Sequence, residues 1–306
     1  MVRCITLLIL LAGAVRAQES DLTRAAQNPF DLARFIDSHP HFDWNELWKA
    51  LQTEPMQIPD CDFMGQGCWT ELIQVLDPDQ VILLVQGDVW SDIYIRFLHE
   101  KNGGWKFSGV YPASIRFTER RHEIDRVGGK PFLVVSIDVN SRYAEWFDLT
   151  VPGFEPVFGF TMEGYLSLFT FDISRKVFAT VLLDNRNQIS VMLDVRFLGA
   201  DGNAEYDLGR TFANAKYNRT TETGKFQFRG TFTGFGEHGP SLSESAFNAL
   251  TDFESGPTNE EMVRYILPNL KEIARGKENG RRKWLRDFVM HAKSTPEIRE
   301  LKALLQ

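Results

Sequence analysis

From Val81 to Phe232 the apolar pattern takes a period of two, and this constrains the fold more than any other feature. Ile189, Val191, Leu193, Val195 and Phe197 alternate with Ser190, Met192, Asp194 and Arg196. Successive side chains of a strand point to opposite faces, so the pattern makes one face apolar and the other polar. Half-polar strands belong to antiparallel sheets, because parallel strands are covered on both faces. Ile93, Ile95 and Phe97 alternate in the same way, and Asn102-Gly103 predicts a hairpin turn into Trp105, Phe107 and Gly109. Further strands are expected at 131–139, 143–150, 165–173 and 176–183, and Phe226, Phe228 and Phe232 close the region. Roughly ten short strands predict a mainly β, α+β chain: a large antiparallel sandwich, barrel or curved meander. No repeat of fixed period is present, which argues against a propeller.

The flanks follow the helical period. Leu32, Phe35 and Ile36 share one face, and Asp43-Trp44-Asn45-Glu46 reads as a capping box opening a helix with Leu47, Trp48 and Leu51. His39-Pro40-His41 is the break between these two helices, and a short helix is expected from Trp69 to Leu76, ahead of an Asp77-Pro78-Asp79 turn. Beyond Gly239-Pro240, helix starts are expected at Ser241 to Glu244, Thr258 to Glu261 and Ser294 to Glu297. Pro268 is expected to kink or split the middle helix, and Gly276 to stop it. The chain thus divides into a targeting segment at 1–17, a helical segment with a cysteine-bearing loop at 18–80, a β body at 81–240 and a helical tail at 241–306.

The targeting segment combines Arg3, an apolar run from Cys4 to Val15, and small residues around Ala17 suited to signal-peptidase cleavage before Gln18. The run is too short to span a bilayer and nothing longer follows, so a soluble secreted or periplasmic protein with no membrane span is expected. Loss of Arg3 and Arg16 takes the net charge from -7 to -9, which argues against a nucleic-acid partner. Within that acidic chain residues 258–306 carry 11 basic and 7 acidic side chains, so the tail is drawn to the β body. Cleavage leaves Cys61 and Cys68 as an even pair in an oxidising compartment, and a disulfide across the glycine-bearing loop between them is expected.

Four strings invite a chemical reading. His39-Pro40-His41 matches the HxH pair of metal-dependent amidohydrolases, but those enzymes need a βα barrel to supply further ligands; a helix-to-helix turn accounts for it. Gly234-Phe235-Gly236-Glu237-His238-Gly239 has the dinucleotide spacing, but follows a half-polar strand and reads as a turn into the tail. Asp201-Gly202-Asn203-Ala204-Glu205-Tyr206-Asp207 offers alternate oxygen ligands for calcium or another divalent ion, though a hairpin turn explains it as well. Glu145 and Asp148, with Arg142, Asp138 and Trp146, are residue types of glycan-handling sites, but alternation puts the two carboxylates on opposite faces. Trp44, Trp48, Trp90 and Trp105 are read as core, and Asn218-Arg219-Thr220 is a glycosylation sequon by pattern. Arg281 to Arg286 opens a basic amphipathic helix with Trp284, Leu285, Phe288 and Val289 on one side, which is expected to dock on the acidic β body.

No convergent catalytic set emerges. The expectation is an exported β-rich binding or envelope-associated structural protein with a glycan, cell-envelope or protein partner. The alternative is an exported carboxylate- or metal-dependent hydrolase using His39, His41, Glu145 or Asp148.

Overall fold

A computed structural model describes residues 20–39, 41–56, 68–76, 79–87, 91–114, 120–138, 141–166, 172–201, 204–228, 233–234, 244–252 and 257–306. The targeting segment, Cys61, Trp90, residues 235–240 and residues 241–243 lie outside them. A helical turn at 20–25 precedes α1 (Pro29–Ser38) and α2 (Trp44–Leu51). The strands are β1 (Trp69–Leu76), β2 (Asp79–Gln86), β3 (Ser91–His99), β4 (Trp105–Ser114), β5 (Arg120–Val127), β6 (Lys130–Asp138), β7 (Ser141–Asp148), β8 (Phe158–Leu166), β9 (Ile173–Asn185), β10 (Gln188–Asp201), β11 (Ala204–Arg219), β12 (Phe226–Phe228) and β13 (Thr233–Gly234). The tail is α3 (Glu244–Thr251), α4 (Asn259–Arg275), α5 (Gly280–His291) and α6 (Pro296–Leu305).

The chain is mainly antiparallel β with helices at both ends, as the alternation predicts. One sheet has the order β1-β2-β3-β4, and the other β12-β11-β10-β9-β8-β7-β6-β5, with β13 also on β11. Neighbours in chain order are neighbours in space, which makes each sheet a meander. β5 and β12 are not joined among the described residues, so the longer sheet is not a closed barrel.

Two compact units divide the chain. The first takes in residues up to Val135 together with Trp146–Pro156. In it α1 and α2 lay Leu32, Phe35, Ile36, Leu47, Trp48 and Leu51 on Leu83 and Val85 of β2 and Ile93, Ile95 and Phe97 of β3. Trp44 belongs to this core and Trp105 packs against it, so three of the four tryptophans are placed as core; Trp90 lies outside the described residues. Asp43 caps α2 by accepting from the Asn45 N–H at 2.8 Å, and between the helices the Phe42 N–H bonds the His39 carbonyl at 3.1 Å, Pro40 lying outside the described residues. The expected turn at Gly103 is present, with φ +88°.

Trp69–Leu76 is a correction: it is strand β1, paired residue for residue with β2 from Trp69↔Gln86 to Leu76↔Asp79, and not a helix. An eight-residue run of mixed pattern has no decisive period of its own, so ladder bonds to the apolar β2 override local propensity. β2 in turn does not alternate. Val81 to Val85 are all buried, because β2 is an inner strand covered on both faces.

A buried guanidinium fastens the returning segment of this unit. Arg96 donates from Nε to Gln80 Oε1 at 2.7 Å, from Nη1 to the Val151 and Gly153 carbonyls at 2.8 and 2.6 Å, and from Nη2 to the Leu149 carbonyl at 2.5 Å. Gln80 donates to the same Leu149 carbonyl at 3.1 Å. Burial lowers the Arg96 pKa to about 10, against the nearby Asp148 carboxylate, which raises it. Such a planar fork meets three carbonyls at once, which an ammonium does not.

The second unit takes in Ser136–Glu145 together with Val157–Gln306. Its centre is β9-β10-β11, where Ile189, Val191, Leu193, Val195 and Phe197 are all buried on one face. Most of the expected strand at 165–173 lies outside the described residues, between the end of β8 at Leu166 and the start of β9 at Ile173. Leu166 pairs with Arg175.

The tail docks on β10 and β11 of this unit. Trp284 is 1% exposed, donates from Nε1 to the Ala200 carbonyl at 3.0 Å, stacks on Phe288 and lies flat over Gly199. Thr258 caps α4 in a reciprocal box with Glu261, as expected. Pro268 does not split α4, and Gly276 ends it. The start of α6 is shifted by one residue: Thr295, not Ser294, accepts from the Ile298 N–H, and Pro296 takes the first helical position, where its missing N–H costs nothing.

Candidate functional site

The second unit holds a cleft of about 480 Å³ between β11 and the α4–α5 corner. Asp207, Leu208, Gly209 and Arg210 form its floor, and Asn269, Glu272, Ile273, Gly276, Asn279 and Arg281 its walls. The floor is shaped by a β-bulge. On β10 Phe197 faces Gly209 and the next residue, Leu198, faces Asp207, so Leu208 is the extra residue. Leu208 turns into the core at 1% exposure, while Asp207 Oδ1 accepts from the Gly209 N–H at 3.0 Å. Gly209 has φ +138°, and a Cβ there would lie 2.8 Å from Asn269 Nδ2. Only glycine lets α4 set Asn269 directly over the strand.

The polar groups of this cleft are only partly engaged. Arg210 forms a bidentate ion pair with Asp194 and lies over the Phe212 ring. The Arg210–Asp194 hydrogen bond raises the Arg210 pKa. Asn279 Oδ1 caps α5 at the Arg282 N–H, and Arg281 makes one long contact, 3.5 Å, to the Asp207 carbonyl. Among the described residues the side chains of Asn269 and Glu272 make no hydrogen bond or ion pair.

A second hollow of about 600 Å³ lies at the start of α4 and is chemically different. There Asn259 accepts from the Ile173 N–H at 2.9 Å and donates to Asp172 at 2.6 Å, and Glu260 accepts from the Lys293 N–H at 3.0 Å. Its polar side chains tie α4 to β9 and to the end of α5, so the first cleft is the better candidate for an external ligand.

The residues singled out by sequence do not gather in one place. His39 stacks on Phe35 at 4.3 Å, with Nδ1 3.0 Å from both the Ser38 hydroxyl and the Phe35 carbonyl, and His41 is exposed two residues on. No group of three or more His, Cys, Asp or Glu placed to hold a metal occurs among the described residues. Asp201 pairs with Ala204 where β10 meets β11, Gly202 and Asn203 lie outside the described residues, and Asp207 is held at the bulge. Asp148 is 3% exposed and accepts from the Thr150 N–H at 2.9 Å and hydroxyl at 2.6 Å. Trp146 is buried beside it in sequence, and Glu145, of opposite strand parity, is half-buried. The Tyr143 hydroxyl lies over Gly159, and burial, then the Glu145 charge, raises its pKa. Asn218 accepts from Gln188 Nε2 at 3.2 Å on the β10–β11 ladder. Cys68 is buried; Cys61 lies outside the described residues, as do most of the Gly234 to Gly239 string and the side chain of Asp138.

Sequence reading missed Asn269, Glu272 and Gly209 altogether. The one legible signal was the Gly209 that interrupts an otherwise alternating strand, the mark of a bulge or a close approach.

No known family model matches the chain, and no curated protein matches it in sequence. No helix among the described residues is long and apolar enough to cross a membrane.

Proposed function

We propose that this is an exported, soluble, β-rich binding protein that holds a small polar ligand in the cleft between β11 and the α4–α5 corner. The observation that carries the reading is the pair of cleft side chains, Asn269 and Glu272, whose hydrogen-bonding capacity is not engaged among the described residues. Export rests on the Arg3-to-Ala17 segment, and a Cys61–Cys68 disulfide fits that compartment. The alternative, an exported carboxylate- or metal-dependent hydrolase, draws less support. His39 is packed in a helix-to-helix turn, and Asp148 serves Thr150.

The test is thermal unfolding with calcium, zinc, chelator, oligosaccharides, cell-wall fragments and short peptides in parallel. A ligand at a hundred times its Kd adds about 2.7 kcal/mol, several degrees in the midpoint. A shift that Asn269→Ala abolishes supports the cleft. A flat panel, or hydrolytic turnover removed by a point change elsewhere, overturns the reading.

A further inference from the structure

We infer that the cleft takes a short zwitterionic peptide, its ammonium held by Glu272 and its carboxylate by Arg281. The inference rests on the binding reading above and adds the chemical class of the ligand. Most charges around this corner are paired within the protein: Arg210 with Asp194, Arg282 and Arg286 with Glu278, Lys271 with Glu300. On the cleft wall Glu272 and Arg281 are not; among the described residues neither forms an ion pair. One carboxylate and one guanidinium outside any ion pair on the cleft wall, the latter spending a single 3.5 Å bond on the Asp207 carbonyl, suit a ligand bearing both opposite charges.

The remaining lining refines the class. The free Asn269 amide has a donor and an acceptor, the complement of a peptide bond. The Asp207 carboxylate accepts from the Gly209 N–H and interacts with the Arg210 charge, and it keeps acceptor capacity for a further ligand N–H group. Saccharide sites use an aromatic face for stacking, and none of the lining residues is aromatic. The volume, about 480 Å³, falls within the range of pockets that enclose drug-sized ligands, which a short peptide matches. The Arg281 fork can meet a carboxylate through two parallel N–H···O bonds.

The experiment is calorimetric titration of the protein with trialanine, N-acetyl-trialanine, trialanine amide and maltotriose, on wild type and on Glu272→Gln and Arg281→Gln. Both substitutions are at exposed positions without an ion pair, so the fold is retained, as circular dichroism will verify. Trialanine is expected to bind wild type. Acetylation should weaken it about tenfold or more in wild type and little further in Glu272→Gln; amidation should do the same against Arg281→Gln. Indifference to capping of either end, or no trialanine binding, overturns the inference. If maltotriose binds instead and Asn269→Ala abolishes that binding, the binding reading stands and the peptide is wrong. Silence from all four probes and from the broader unfolding panel removes both.

Discussion

The contact between Trp284 of α5 and Gly199 of β10 tests how the tail is held. Trp284 is 1% exposed, and an indole buries up to about 250 Å², worth about 6 kcal/mol as an upper bound. Large-to-small changes of buried aromatics usually cost about 3–5 kcal/mol, and the bond to the Ala200 carbonyl adds about 1 kcal/mol. Trp284→Ala should therefore cost about 4–6 kcal/mol. A Cβ on Gly199 would lie 2.4 Å from Trp284 Cε2 and 2.6 Å from Cδ2, so Gly199→Ala must push the whole indole back. Overpacking of this kind costs about 1–3 kcal/mol. In the Trp284→Ala background the same methyl enters vacated space, and its cost should fall below about 0.5 kcal/mol. The double-mutant cycle should thus show a coupling of about 1–3 kcal/mol, read from urea unfolding followed by far-ultraviolet circular dichroism. Additivity within about 0.5 kcal/mol would refute the seating of Trp284 on Gly199.

Other substitutions probe different parts of the fold. Arg96→Met leaves the Leu149, Val151 and Gly153 carbonyls and Gln80 without their shared donor, and should cost about 3–5 kcal/mol in calorimetry; Arg96→Lys should rescue less than half, because an ammonium lacks the fork. The Thr258 backbone N–H, then its hydroxyl, hold the Glu261 pKa below the ordinary 4.5. A depressed carboxylate adds stability that is fully present above 4.5 and is lost as pH falls through the folded value. Thr258→Ala should accordingly cost about 1 kcal/mol at neutral pH and less in acid, and an equal penalty at both would contradict the capping box. Gly109→Ala puts a Cβ 2.8 Å from that of Phe154 and should lower the melting midpoint by several degrees; an unchanged midpoint would show that Phe154 is not seated there.

The parts of this fold that were legible in sequence are those where one physical rule acts alone. The five residues from Ile189 to Phe197 bury one face of β10 with no competing demand, and Thr258 with Glu261 is a local cap needing no tertiary partner. Trp69–Leu76 was illegible because its partner decides it: a short run of mixed pattern takes the conformation of the strand whose backbone it completes. Pro268 misleads for a similar reason, since the packing of Met262, Val263, Ile266, Leu270 and Ala274 holds α4 together through it.

The cleft was invisible for a subtler reason, and the first unit shows the same device. On β4, Gly109 pairs with Arg96 and Phe107 with Phe97, which makes Ser108 an extra residue followed by a glycine. On β11, Leu208 is the extra residue and Gly209 follows it. In each case the bulge turns the strand and the glycine admits a close neighbour, Phe154 in one unit and Asn269 in the other. Their surroundings then diverge. Around Gly109 the neighbouring segment is closed by Arg96 and its three carbonyl acceptors, so the polar groups there are consumed by the fold. Around Gly209 the neighbouring helix brings Asn269 and Glu272, whose side chains the fold leaves without partners among the described residues. A bulge with its glycine can be suspected from sequence, but whether it closes a core or floors a cleft depends on residues some 45 to 60 positions away, where no local pattern reaches.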